Sequence, residues 1–142
     1  MLRIWAFVLM AAGLAAVLYA QESRSVWDGV YTTDQAAHGK ELYNKNCAGC
    51  HGDSLTGGES APPLAGGDFI SNWNGLSVGE LFERIRTTMP LNNPRSLSRE
   101  VNTDILAYIF SVNEFPPGKT AMPTGTDALK HIQIDMVKPE KK

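Results

Sequence analysis

Cys47-Ala48-Gly49-Cys50-His51 is the stretch that decides how this chain folds. Two thiols three positions apart, followed at once by an imidazole, make a C-x-x-C-H. At that spacing both thiols reach the two vinyl groups of one haem. The next residue is then held under the iron, where its imidazole becomes the proximal ligand. A group tethered this way becomes part of the core and cannot be lost. Two other readings of the cysteine pair compete. A reversible redox pair belongs in a βαβ setting, and no such pattern is visible. A zinc site needs more ligands, and the chain has no second cysteine pair, while His38 and His131 fall into no finger-like arrangement.

The segments around the motif read as helices joined by loops. Residues 32–46 lead into it. Thr32 and Gln35 fit a capping box, and Ala36, Gly39, Tyr43 and Cys47 form one stripe at helical spacing. Residues 52–75 are rich in Gly, Pro, Asp and Asn and read as one long irregular loop, which is unusual unless it wraps something. A second helix is expected over 78–87, with Ser77 and Glu80 as its capping box and Val78, Leu81, Phe82 and Ile85 as its apolar face. Met89-Pro90 ends it. Ser98 caps a third helix running to about Asn113, with Val101, Ile105, Tyr108 and Val112 in its stripe, and Pro116-Pro117-Gly118 stops it. No alternating β pattern runs for any useful length. With 13 Gly and 8 Pro in 142 residues, the chain is loop-rich for a small domain, so something beyond an apolar core is needed to hold it together.

The two ends set compartment and boundaries. Arg3 precedes an uncharged apolar run from Ile4 to Ala20, which reads as an export signal. Ala20 is a plausible cleavage point, although Leu18 suits an A-x-A-like site poorly, and an uncleaved anchor is the alternative. Either way the remainder leaves the cytoplasm. The expected division is 1–20 signal peptide or anchor, 21–31 linker, 32–115 folded domain and 116–142 tail. The Leu129, Ile132 and Ile134 spacing favours a tail that straps the domain over a flexible one. Loss of residues 1–20 removes only Arg3, leaving 12 Lys and Arg against 15 Asp and Glu, net −3. That balance argues against a nucleic-acid binder, which shows a basic face.

Residues 32–115 resemble a class I cytochrome c, the all-α monohaem family in which small helices and long loops wrap one covalent haem. The likeness extends past the motif. Gly39 and Tyr43 match the Gly and aromatic that the family places one turn apart on the helix before C-x-x-C-H. Ile105 and Tyr108 match the pair on the last helix that crosses them. All four are packing residues. Ala61-Pro62-Pro63-Leu64 stands where the family has Gly-Pro-x-Leu. The resemblance implies that the Pro62 carbonyl orients His51 and that Leu64 lies against the haem face. Ala61 departs from the usual Gly. It also implies that Trp73, in the loop, donates its indole N–H to a haem propionate, simple packing being the alternative.

For the sixth ligand, Met89-Pro90 resembles the family's ligand-loop pattern and lies between the long loop and the last helix. Met122 also precedes a proline but follows that helix. Met10 falls in the signal, and Met136 falls in the tail, where it reads as packing. The implied set is haem c attached through Cys47 and Cys50, with His51 and Met89 on the iron. Arg84, Arg86, Arg95 and Arg99 flank Met89 and read first as solvated helix faces, with a cationic docking rim as the other possibility.

Two occupied axial positions leave no room for a substrate, so the expected role is single-electron carriage and not catalysis. The segment from Phe69 to Asn113 is also similar to cytochromes associated with quinoprotein (PQQ) dehydrogenases. This implies an exported, periplasmic carrier that takes electrons from such a dehydrogenase and passes them to an oxidase or another cytochrome of a respiratory chain. The rival is a haem enzyme or ligand sensor with an open sixth site.

Overall fold

The computed structural model describes residues 23–140, so the signal or anchor expected over 1–20 lies outside the described residues. Six helices and a pair of two-residue strands make up this part: β1 (Arg24–Ser25), α1 (Thr33–Asn46), α2 (Ala48–His51), α3 (Gly67–Trp73), α4 (Val78–Thr88), α5 (Arg99–Val112), α6 (Thr126–Lys130) and β2 (Ile132–Gln133). A short 3-10 turn, Val26–Asp28, follows β1. Among the described residues no helix is long and apolar enough to cross a membrane.

Three helix starts follow from side chains that satisfy otherwise unpaired N–H groups. Thr32, Ser77 and Ser98 accept from the backbone of Gln35, Glu80 and Val101, as N-cap residues do. Ser77 and Glu80 form a complete capping box. At α1 the box is incomplete, because Gln35 points away from the cap. Its side chain exchanges hydrogen bonds with the backbone of Met122 at 2.7 and 3.4 Å.

The α1–α5 crossing is the centre of the fold. A Cβ built on Gly39 meets the Asp104 carbonyl oxygen at 1.8 Å, so only glycine lets the two backbones come this close. Tyr43 and Tyr108 meet beside the crossing with their rings tilted by 57° and 5.3 Å between centroids. Tyr43, Ile105, Leu106, Ile109 and Phe110 are almost wholly buried. On the surface next to the crossing, exposed His38 pairs with Asp104 at 2.7 Å.

Two segments depart from the sequence expectation, and the tail takes the strapped form that its Leu129, Ile132 and Ile134 spacing favours. Residues 24–31 are not a linker: Val26, Val30 and Tyr31 are core residues, and Tyr31 is tied to the chain that follows α5 through its hydroxyl to the Phe115 carbonyl and its own carbonyl to Gly118. No helical or alternating stripe marks so short a segment, because its partners are distant in sequence. The tail is a strap built into the domain. β2 pairs in parallel with β1, Arg24 opposite Ile132, and Ile134 bonds both Gly75 and Leu76 between α3 and α4. Met122, Leu129, Ile132 and Ile134 are buried, although Met136, read as packing, is exposed. Finally, the 52–75 loop contains α3, whose Phe69 is buried.

Candidate haem site

α1 delivers the motif. Its last turn runs into Cys47, and α2 continues with Ala48–His51 as a single turn. The Tyr43 hydroxyl donates to the Gly52 carbonyl at 2.8 Å. Gly52 itself takes φ +79°, a left-handed value that suits glycine. Together these hold the chain as it leaves His51. Burial pushes the Tyr43 hydroxyl pKa up, with Cys47 nearby adding to the rise.

Both cysteines are free thiols, Cys47 half-buried and Cys50 exposed. Burial, and then the neighbouring Cys50, push the Cys47 thiol up to about 11. His51 is buried. Its Nδ1 lies 2.9 Å from the Pro62 carbonyl oxygen. Only a protonated Nδ1 can donate there, so Nε2 is the nitrogen with its lone pair free. Such a bond fixes the ring and raises the basicity of the other nitrogen. Unbonded thiols beside an imidazole with one free lone pair are the donor set that a covalent haem needs, and the residues present fit it.

The loop carrying Pro62 is built against this turn. Gly57 N–H donates to the His51 carbonyl and Leu64 N–H to the Leu55 carbonyl. At Gly57, φ is +74° and a Cβ would stand 2.6 Å from the Ala61 carbonyl oxygen, so Gly57 carries the turn at a place where Ala61 replaces the expected glycine. Asn113, at the C-terminal end of α5, closes the loop from the other side. Its amide donates to the Leu64 and Ile109 carbonyls at 3.0 and 2.8 Å and accepts from Gly66 N–H at 2.9 Å. In the sequence Asn113 reads only as a helix end. A helix-terminal Asn is a visible signal, but its loop partner is 47 to 49 residues away.

The remaining predicted residues come from other segments. Leu64 and Trp73 are half-buried against the core, and the Trp73 indole N–H has no hydrogen-bond partner among the described residues. Met89 is the C-cap of α4, with its N–H on the Ile85 carbonyl. Its side chain is half-buried and makes no hydrogen bond among the described residues. Met122, the other thioether considered, is buried and held at its backbone by Gln35. Leu64, Ile70, Trp73, Ile85, Leu97 and Val101 are all only partly buried. Of the four arginines, two are engaged. Arg86 pairs with Glu83 at 2.6 Å. Arg99 bonds the Thr124 carbonyl and Thr126 and lies 5.4 Å from the centre of the Phe82 ring.

The family model described as cytochrome C oxidase, cbb3-type, subunit III matches residues 34–109, more than half of the chain. The cytochrome bc1 complex cytochrome c subunit of Corynebacterium diphtheriae is 33% identical over 92 residues, covering 63% of this chain and 31% of that protein. The subunit of the same name in Corynebacterium efficiens is 28% identical over 129 residues, 82% of this chain and 42% of that protein. The chain thus spans well under half the length of these relatives. Among solved structures, the sulfane dehydrogenase SoxCD from Paracoccus pantotrophus superposes with a TM-score of 0.52 at 21% identity, over 76% of this chain and 61% of that one. At that identity the likeness speaks for the fold alone.

Proposed function

This chain belongs to the family described as cytochrome C oxidase, cbb3-type, subunit III, with the fold of a class I cytochrome c; we propose that it is a haem electron carrier and not an enzyme, moving one electron at a time on a single haem c that Cys47 and Cys50 would attach and whose iron His51 and Met89 would hold. Haem c supplies reversible exchange between ferric and ferrous iron when bound. The observation that carries the ligand reading is the 2.9 Å bond from His51 Nδ1 to the Pro62 carbonyl, which leaves the Nε2 lone pair available to an iron. Cys47 and Cys50 are the chain's only cysteines, which suits one attached group.

In this reading each part of the chain has a role. Pro62 orients His51 and Asn113 holds the Pro62 loop in place. Leu64 covers one face of the group, and Trp73 offers its free indole N–H to a propionate, as buried indoles seek a partner. Met89 would hold the iron and so keep exogenous ligands away from it. Its thioether favours the ferrous state and so raises the potential.

The compartment and partners follow by analogy. The apolar run at 4–20 supports export to the periplasm, with an anchored form as the alternative. The names of the relatives support a respiratory complex or another cytochrome as acceptor. The similarity of residues 69–113 to cytochromes of quinoprotein dehydrogenases supports such a dehydrogenase as donor.

The test is an optical spectrum of the protein matured with haem, for wild type and Met89→Ala. The expected result is a weak thioether–iron band at the red end of the ferric wild-type spectrum. Met89→Ala loses the band and its ferrous form binds carbon monoxide. Free carbon monoxide binding by the wild type would overturn the carrier reading in favour of an open-site enzyme or sensor.

A further inference from the structure

The loop between α4 and α5 begins at Met89 and ends at the Ser98 cap. Burial does little to hold it. Residues 91–96 are all exposed, Leu91 to 77%. Its internal hydrogen bonds are local turns, Asn93 to Pro90 and Ser96 to Asn93. A ten-residue loop of this kind, starting at the residue read as the sixth ligand, needs a fixed far end.

Asn102 supplies one. It is fully buried in α5, and its side-chain amide donates to the Leu97 carbonyl at 3.2 Å and the Ser98 carbonyl at 2.8 Å. Turning the amide over would set its oxygen against two carbonyl oxygens, so this orientation is fixed. Its Oδ1 is the one buried side-chain polar atom without a hydrogen-bond partner among the described residues. A buried amide that gives its N–H donors to the backbone at one loop end is poorly explained by packing alone. The two donated bonds to the end of the loop are what it provides.

We propose that Asn102 is a positioning residue for the sixth ligand: by latching the 97–98 end of the loop onto α5, it sets how readily Met89 gives way to an exogenous ligand. The proposal rests on the reading of Met89 as ligand.

The experiment uses the haem-loaded full chain. Imidazole affinity of the ferric form, the thioether–iron band and amide hydrogen exchange over residues 91–97 are measured for wild type, Met89→Ala, Asn102→Leu and Thr103→Val. Thr103 is the structural control. It is buried one position along the same helix and its hydroxyl bonds only the Glu100 carbonyl. Asn102→Leu is expected to weaken the band, speed exchange in the loop and tighten imidazole binding about tenfold, the yield of one lost buried hydrogen bond. Thr103→Val is expected to lower the melting temperature and leave imidazole affinity within about twofold of wild type. Equal shifts in both variants, or none in Asn102→Leu, would overturn the proposal. If Asn102→Leu does not accumulate, Asn102→Ala is read in the same way. A wild type without the band, whose imidazole affinity Met89→Ala leaves unchanged, rejects Met89 as ligand and the proposal with it.

Discussion

At the scale of single residues, one polar side chain often decides how a loop meets a helix, and Asn113 is the clearest case. It satisfies two carbonyls and one N–H of the chain around the Pro62 loop. Removing the side chain leaves the Leu64 carbonyl and the Gly66 N–H unpaired, while the Ile109 carbonyl keeps the Asn113 backbone N–H, at about 1–3 kcal/mol for each unpaired group that water cannot reach. Asn113→Ala is expected to lower unfolding free energy by about 2–3 kcal/mol in denaturant titration, and to broaden the proton resonances of the His51 ring as its Pro62 partner loosens. The C-x-x-C-H turn was legible from the sequence, because its residues are consecutive. Asn113 was not, since its role appears only when distant backbone groups arrive beside it.

At the scale of elements, two contacts control how the helices sit. The first is the Gly39 notch, where a Cβ would meet the Asp104 carbonyl oxygen at 1.8 Å. Gly39→Ala must push α1 and α5 apart and is expected to cost about 3 kcal/mol, read as a lowered denaturation midpoint with an unchanged slope. The second is Glu83 on α4. It binds Arg86 on its own helix and the Thr126 hydroxyl of α6, with Arg99 of α5 at 3.9 Å. The hydrogen bonds from Arg86 and Thr126 lower its pKa from 4.5 to about 2. A folded-state pKa below the unfolded one adds stability above the unfolded value, and that stability is lost as pH falls through the folded value. The gap in melting temperature between wild type and Glu83→Gln is therefore expected to be full at about pH 6, to shrink below pH 4.5 and to close near pH 2. A gap independent of pH would show that the Glu83 contacts act through shape and not charge.

At the scale of the whole molecule, the two ends of the described chain are one piece of structure. The 24–31 segment and the strap from Met122 to Ile134 pair with each other, and the strap packs on α4 and bonds the turn between α3 and α4. Gly79 shows how tightly: a Cβ there would stand 2.8 Å from the Lys130 backbone nitrogen. A chain ending at Gly118 loses four buried apolar residues, Met122, Leu129, Ile132 and Ile134. Each is worth about 1.5–3 kcal/mol on burial, a sum comparable to a small domain's whole stability. That truncation is expected not to accumulate as a folded protein, and limited proteolysis of full-length protein is expected to spare the strap.

The sequence alone determined the haem-attachment motif, the three long helices with their caps, and the glycine and aromatic positions where α1 meets α5. Each of these is written in residues a few positions apart, within one turn or one helical stripe. Tertiary structure alone decided that the 24–31 segment belongs to the core, that α3 forms inside an irregular loop, and that Gln35 and Asn113 serve loops far from them. Those features depend on backbone groups that meet only after the chain has closed on itself, and no local pattern records which carbonyl a buried amide will find.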